Sequence, residues 1–361
     1  MTPLLLALVA SFVLTLWVVR SAKLHGRLSH DYDTNGPQKF HALPVPRIGG
    51  VGIVVGIGAG AGWLVWQGYG SVPAWLLACG MPAFLVGSQE DLTKRVSPRR
   101  RLAATALSAA LAAWLIDAVI TRTAIPGLDW AVSFGWGAVA VTVFVIAGVA
   151  NAVNIIDGFN GLASMCAIII LASLAYVGFA VGDTLIATLA LIGVGAVLGF
   201  FVWNFPAGLI FLGDGGAYFL GFYLAEVAIL LLHRNPQVSP MFPLLLCIYP
   251  VFETLFSIYR RRWLRGQPVG MPDGAHLHSL IYRRFLRWAA GERTARELTR
   301  RNSMTSPYLW TLCMISAVPA LLWWRSTPVL AVFIIGFGFL YVRLYWRIVR
   351  FRAPRWLVFR R

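Results

Sequence analysis

The sequence predicts an all-α, polytopic transmembrane helical bundle of about 11 spans, and three observations predict it. Of 361 residues, 58% are hydrophobic and only 12% are charged, too little polar surface to cover a water-soluble core of this size. The apolar residues come in long blocks rather than in alternating or one-faced stripes. Blocks of roughly 17–20 residues at helical rise match the hydrocarbon thickness of a bilayer. Finally, the basic residues crowd into every second connection between blocks, the bias that sets membrane orientation.

Taken in order, the blocks cover about 3–19, 48–66, 73–87, 102–120, 130–150, 162–180, 184–203, 218–233, 240–258, 307–324 and 328–346. The first has no basic residue ahead of it, as a cleaved leader would, and reads as a retained helix. With the N-terminus outside (periplasmic) and the C-terminus cytoplasmic, the inner side holds 20–47, 88–101, 151–161, 204–217, 259–306 and the tail from 347. Of 31 Lys and Arg, only Arg122, Arg234 and Arg325 then lie outside, with Arg343 just inside the last span. No internal repeat or low-complexity linker divides the chain. It reads as one integral membrane domain over 1–361, with a polar cytoplasmic loop at 259–306, helical on the surface from Ser279 to Arg301, and a basic tail at 347–361.

Several classes are excluded. The net charge of +17 does not mark a nucleic-acid binder, because its cations sit in short loops between spans. Cys79, Cys166, Cys247 and Cys313 lie in or beside apolar blocks without CxxC spacing, so they form neither a disulfide framework nor a metal site. His276 and His278 make an HxH pair, but no Cys or third His lies nearby to complete a zinc site. A transporter or flippase for a lipid-linked sugar is the alternative from another class. It needs ionisable groups near the midplane, and Asp117 and Glu226 are the only acids within the spans away from the cytoplasmic helix ends.

The 14 acids carry the functional information. Glu90, Asp91, Asp157, Asp214, Glu253 and Asp273 all fall at or near cytoplasmic helix ends, in separate polar segments. Carboxylates beside hydrocarbon are costly unless paired or hydrated, so several at one depth imply a shared aqueous pocket on the inner face. In NAVNIIDGFNGLAS, from Asn151 to Ser164, Asn151, Asn154, Asp157 and Asn160 recur every three residues among glycines that let backbone approach a ligand. In NFPAGLIFLGDGGAYFLGF, from Asn204 to Phe222, Asp214 opens a helix whose N–H groups attract phosphate. A carboxylate there repels phosphate unless a divalent cation bridges the two. VGSQEDLTKRVSPRRRL pairs Glu90 and Asp91 ahead of Arg99, Arg100 and Arg101, and PDGAHLHSLIYRR places His276 and His278 after a turn.

These four blocks, together with GPQKFHALPVPRIGG, resemble the polyprenyl-phosphate N-acetylhexosamine-1-phosphate transferase family from about Gly36 to Arg284. The resemblance implies transfer of an N-acetylhexosamine-1-phosphate from a UDP-sugar to undecaprenyl phosphate, with release of UMP, which starts a lipid-linked cell-surface polysaccharide such as O-antigen. It also implies a bacterial inner membrane, a cytoplasm-facing site and Mg²⁺, with Mn²⁺ as the other candidate. By position, Asp214 matches the metal-binding acid. Asn204 and Phe211 match nucleotide contacts, and Asp157 and Asn154 line the nucleotide–diphosphate pocket. Asp91, with Glu90 beside it, matches the acids that activate the lipid phosphate, and His276 and His278 match the loop histidines near diphosphate and sugar. Lys39 holds a phosphate or the uridine. The chain departs from the family in Glu90, which lengthens one arm of the acid pair, and in Asn160, which hydrogen-bonds substrate but brings no charge to a metal. HLHS in place of three successive histidines points away from the muramoyl-pentapeptide branch. Membrane lipids are the remaining partner, no nucleic acid is expected, and a homodimer is allowed without being specified.

Overall fold

The computed structural model describes residues 1–22, 30–31, 44–266, 268, 273–284 and 294–350. Its helices are α1 (Thr2–Arg20), α2 (Gly50–Trp66), α3 (Val72–Thr93), α4 (Pro98–Leu115), α5 (Pro126–Val132), α6 (Gly135–Ile156), α7 (Leu162–Ala180) and α8 (Thr184–Asn204). They continue with α9 (Gly213–Arg234), α10 (Met241–Leu246), α11 (Ile248–Tyr259), α12 (Leu277–Arg284), α13 (Ala295–Leu322) and α14 (Thr327–Val349). One two-residue ribbon pairs His30–Asp31 with Val45–Pro46.

Every apolar block contains helix, and eight helices (α1, α3, α6, α7, α8, α9, α13 and α14) are long and apolar enough to cross a bilayer. The chain is a multi-pass membrane protein. The other three blocks differ for local reasons. Helix α2 is apolar but only 17 residues long, and α4 carries Arg99, Arg100 and Arg101 in its first turn. The block at 240–258 is broken at Cys247, because Pro250 has no N–H to donate to the Leu246 carbonyl one turn back. A rim of exposed tryptophans (Trp66, Trp114, Trp130 and Trp136 at one end, Trp17 and Trp263 at the other) suits the two membrane–water boundaries.

The helix starts that lie furthest ahead of their hydropathy blocks are those of α9 and α13. Helix α9 begins at Gly213 rather than 218, and every residue from Gly213 to Leu232 is buried. It is the axis on which α2, α3, α4, α6, α7 and α8 pack. Helix α13 begins at Ala295 rather than 307. Thr294 caps it by accepting the Glu297 N–H at 3.3 Å, the Thr-x-x-Glu arrangement that favours a helix start. Of the expected surface helix over 279–301, residues 279–284 belong to α12, 285–293 lie outside the described residues, and the part from Ala295 starts a separate helix at the extended Thr294 cap and continues into the apolar block.

Close packing on the outer flank depends on small residues, as it does where lipid removes the hydrophobic drive between helices. Helix α1 buries Ala7, Ser11 and Thr15 against Gly52 and Gly56 of α2 and Gly199 of α8. A Cβ at Gly195 would lie 2.3 Å from the Leu4 carbonyl oxygen, and one at Gly199 would lie 2.5 Å from that of Leu8. Gly199→Val is expected to wedge α1 away and cost about 1–3 kcal/mol, the usual penalty for overpacking. Gly62→Ala, in a helix interior where nothing lies within 4 Å, should not lower stability, since alanine favours helix over glycine; thermal unfolding of the two variants in detergent checks the contrast.

Candidate active site

The site is built around the first turn of α9. Gly213 has φ +77°, and a Cβ there would meet the Arg47 carbonyl oxygen at 1.9 Å, so only glycine lets the two backbones come this close. The chain ahead of α9 is stitched to the chain ahead of α2. Phe211 N–H donates to the Pro46 carbonyl at 2.8 Å, Gly49 N–H to Phe211 at 3.0 Å, and Gly50 N–H to Leu212 at 3.0 Å. This pairing holds Arg47 over the head of α9. From the other side, Gly87 of α3 faces Gly215 at backbone contact, which brings Asp91, one turn further on, to the same point.

Asp91 is 3% exposed and accepts two backbone N–H groups, Asp214 N–H at 2.8 Å and Gly215 N–H at 2.9 Å, one on each oxygen. A carboxylate at a helix N-terminus is stabilised by the helix dipole as well as by these bonds. The N–H groups expected to attract phosphate are thus already held by Asp91. The Asp214 side chain turns the other way. Its Oδ1 accepts Asn154 Nδ2 at 3.0 Å and lies 3.4 Å from Arg47 Nη2, while its Oδ2 is clasped by Arg101. Arg47 also lies 3.6 Å from Asp91.

Asp157, at the C-terminal end of α6, completes the group. Burial pushes its carboxyl up to about 7, against the pull of the Arg47 charge. Three carboxyls (Asp91, Asp157 and Asp214) therefore share the vicinity of two guanidiniums. Arg101 Nε is buried without a partner, so a donor remains unsatisfied at the centre of the site.

A second polar cluster seats the histidine loop. Glu253 of α11 is 1% exposed and collects donors: Tyr341 Oη at 2.6 Å, Leu277 N–H at 3.2 Å, and His276 Nδ1 at 2.9 Å. Arg260 is clasped to Asp273 and also donates to the Ala275 carbonyl at 2.6 Å and to Tyr345 Oη at 2.8 Å. Burial alone would raise the Asp273 carboxyl, but the Arg260 charge leads a set of partners that holds it below its ordinary value. The His276 and His278 rings stack at 5.2 Å. His278 lies against Gly158 and the Phe159 ring, so the loop meets the Asp157 turn. Burial, with His276 beside it, brings His278 down to about 3. It is a neutral imidazole at working pH, and its Nδ1 is buried without a partner.

The sequence-predicted residues divide by surroundings. Asp91, Asn154, Asp157 and Asp214 meet at the head of α9, and His278 adjoins them through Gly158. Glu90 turns away, its Oε2 accepting Val96 N–H at 2.6 Å in the α3–α4 turn. Asn160 and Asn204 are buried and engaged with the protein. Asn160 Nδ2 donates to Ser303 Oγ at 3.1 Å, and its own N–H donates to Asn302 Oδ1 at 2.8 Å. Asn204 Oδ1 accepts Gly161 N–H at 2.6 Å, and its Nδ2 donates to the Ile210 carbonyl at 2.8 Å. Phe211 is half-buried and tied by its backbone. Lys39 lies outside the described residues. Glu253 and Asp273, grouped from sequence with the other helix-end carboxylates in one pocket, sit instead in the cluster that seats the histidine loop, and Arg47, Arg101 and Tyr341 were given no role from sequence. Arg101 had a readable signal, for it begins a 101–105–108–112 stripe on α4 whose later members are all buried.

Asp214 itself offers carboxylate oxygens, the ligand type of a hard cation such as Mg²⁺, and in this structure both are engaged by the nitrogen donors of Asn154, Arg47 and Arg101. No group of three metal-ligating side chains occurs among the described residues.

Fold and site together define a membrane-embedded protein with a charged centre at one end of its bundle. Residues 73–232 match the family model described as glycosyl transferase family 4. The chain is 30% identical over 249 residues to a probable undecaprenyl-phosphate N-acetylglucosaminyl 1-phosphate transferase of Bacillus subtilis, covering 68% of each chain. It is 28% identical to the undecaprenyl-phosphate alpha-N-acetylglucosaminyl 1-phosphate transferase of Thermotoga maritima, over 71% of this chain and 74% of the relative. A phospho-N-acetylmuramoyl-pentapeptide-transferase of Geobacillus kaustophilus is 32% identical over 51% of this chain and 60% of its own. The chain belongs to glycosyl transferase family 4, the polyprenyl-phosphate N-acetylhexosamine-1-phosphate transferases.

The raised Asp157 carboxyl has a measurable consequence. An unfolded Asp titrates near pH 4, so from about pH 4 to 7 the folded protein binds this proton more tightly than the unfolded chain does. The contribution of Asp157 to stability therefore falls as pH rises through that window. Asp157→Asn is expected to raise the unfolding temperature of the ligand-free protein at pH 8 and to leave it unchanged relative to the parent at pH 4. Paired thermal melts in detergent at the two pH values check the sign.

Proposed function

We propose that the chain transfers an N-acetylhexosamine-1-phosphate from a UDP-sugar to undecaprenyl phosphate, releasing UMP and starting a lipid-linked cell-surface polysaccharide such as O-antigen. The observation that carries this reading is the convergence of Arg47, Arg101, Asn154, Asp157 and Asp214 on the first turn of α9. Two phosphates must approach one another in this reaction, so placed positive charge and hydrogen-bond donors are what the transition state requires. In our reading the chain makes eleven spans, with its N-terminus periplasmic and its C-terminus cytoplasmic in a bacterial inner membrane, and the head of α9 faces the cytoplasm.

An oxygen of the lipid phosphate attacks the sugar-bearing phosphorus. The bond from that phosphorus to the oxygen shared with UMP breaks, and UMP leaves with that oxygen. Arg47 and Arg101 move from Asp214 onto the diphosphate, which meets the unsatisfied Arg101 Nε. Asp214 would hold Mg²⁺, or Mn²⁺ in its place, and the ion would supply further neutralisation of phosphate charge. Asp157, near 7, is suited to take a proton from the lipid phosphate, whose own second ionisation lies near pH 6. Both Asp91 oxygens are engaged by backbone N–H groups. That favours direct attack by the lipid over a phospho-Asp91 intermediate, with Asp91 fixing the head of α9. Neutral His278 and its partner His276 face the diphosphate and sugar. Asn160, Asn204 and Phe211 shape the nucleotide side, and Lys39 completes the phosphate contacts.

Two further observations support the assignment. The relatives named for N-acetylglucosaminyl 1-phosphate transfer align over a larger share of both chains than the muramoyl-pentapeptide enzyme of Geobacillus kaustophilus does. Against a transport route, Glu226 is fully enclosed, and Asp117 lies at the opposite end of the bundle beside His233.

The test is UMP release by purified protein given undecaprenyl phosphate and a panel of UDP-N-acetyl sugars. Release should need the lipid and stop with EDTA. Asp214→Ala should lower turnover at least about 100-fold, the scale of losing a charge-stabilising element, while remaining folded. Release without lipid, or full activity of Asp214→Ala, would refute the assignment.

A further inference from the structure

The last helix among the described residues, α14, lies well beyond the matched segment at 73–232, and nothing in the reaction requires a span at that position. Its buried face nevertheless carries Tyr341, Tyr345 and Ile348, and each of these positions fastens the histidine loop. Tyr341 Oη donates to Glu253 Oε2 at 2.6 Å, and the other oxygen of Glu253 holds His276 Nδ1 at 2.9 Å and Leu277 N–H at 3.2 Å. Tyr345 Oη accepts from Arg260 Nη1 at 2.8 Å and donates to the Ala275 carbonyl at 3.2 Å. At the end of α12, Arg284 Nη1 donates to the Ile348 carbonyl at 2.6 Å and also to Val349.

Tyr341 is fully buried among the rings of Phe252, Phe256 and Phe337. Phenylalanine would pack there as well for hydrophobic purposes, so the hydroxyl is the informative atom. Without it, one oxygen of a fully buried carboxylate loses its donor, a costly defect in such surroundings. The carboxylate that would then shift is the one that orients His276. A carboxylate bonded to one ring nitrogen sets which tautomer an imidazole presents at the other.

We propose that α14 is a working part of the site and that Tyr341 is a positioning residue. Through Glu253 it fixes the orientation and tautomer of His276, while Tyr345 and the Arg284 contacts hold the rest of the loop at the same depth. The inference rests on the transfer reading for the role of His276, whereas the fastening itself is independent of the reaction.

The experiment uses the full-length protein with Tyr341→Phe, Tyr345→Phe, His276→Gln and the double variant Tyr341→Phe/His276→Gln. Two quantities are read: hydrogen exchange of the segment 273–284, and UMP release across donor and lipid concentrations. Tyr341→Phe should speed exchange in 273–284 and lower kcat about tenfold, with KM for both substrates within about twofold of the parent. Because Tyr341 acts through His276, adding Tyr341→Phe to His276→Gln should change turnover by less than about twofold. Unchanged exchange overturns the fastening. Parental kcat in Tyr341→Phe, or the same loss repeated in the His276→Gln background, overturns the positioning role. If the parent releases no UMP while exchange in 273–284 still quickens in Tyr341→Phe, the transfer reading falls and the fastening stands.

Discussion

The bond pair from Asp91 to the Asp214 and Gly215 N–H groups ties the end of α3 to the beginning of α9, and the rest of the site depends on it. Helix α9 is the buried axis of the bundle, so its first turn is the best-fixed point at that end of the molecule. A helix start enclosed by protein has unsatisfied N–H groups that must find acceptors. Here a carboxylate meets two of them, and the approach is close enough that only glycine fits at 213. With those N–H groups covered, the Asp214 carboxylate faces Arg47, Arg101 and Asn154. Asp91 and Asp214 are therefore chemically alike but differently placed, one built into the scaffold and the other turned to the site.

Much of this was legible in the sequence because acids are scarce in so apolar a chain. Asp91, Asp157 and Asp214 were found by their positions at helix ends, and the glycines beside Asp214 signalled close backbone approach. Helix boundaries were less legible where polar residues extend a helix beyond the hydrocarbon. Hydropathy cannot see the polar turns of α13 ahead of 307, although Thr294 and Glu297 announce the start by their capping pattern. Partnerships were not legible at all. Asn160 reads as a substrate contact from its motif, yet its partners Asn302 and Ser303 lie more than 140 residues away. Glu90 reads as the twin of Asp91, but adjacent residues on a helix point about 100° apart, and only one of them faces α9.

The two polar clusters divide the labour of a site at a membrane margin. One, at the head of α9, concentrates opposite charges where anionic groups must meet. The other, from Glu253 to Asp273, is a dry network whose members satisfy one another and hold a polar loop against an apolar bundle. Buried ionic groups of this second kind add little net stability, because desolvation offsets much of their attraction. Their effect is geometric, for a loop held by several directional bonds has few alternative seats.

The clasp of Arg47 and Arg101 on Asp214 gives the ligand-free site the character of an ion exchanger. Its cations are never bare, so small anions meet a surface already neutralised from within. To displace the internal counter-ion, an incoming group must offer two guanidiniums better partners at once, which a diphosphate does and a chloride or a lone carboxylate does not. A preference for a doubly anionic group is thereby built into the charged centre before any other contact is made. In the proposed reaction the same carboxylate, once the arginines leave it, would be free for a cation of higher charge.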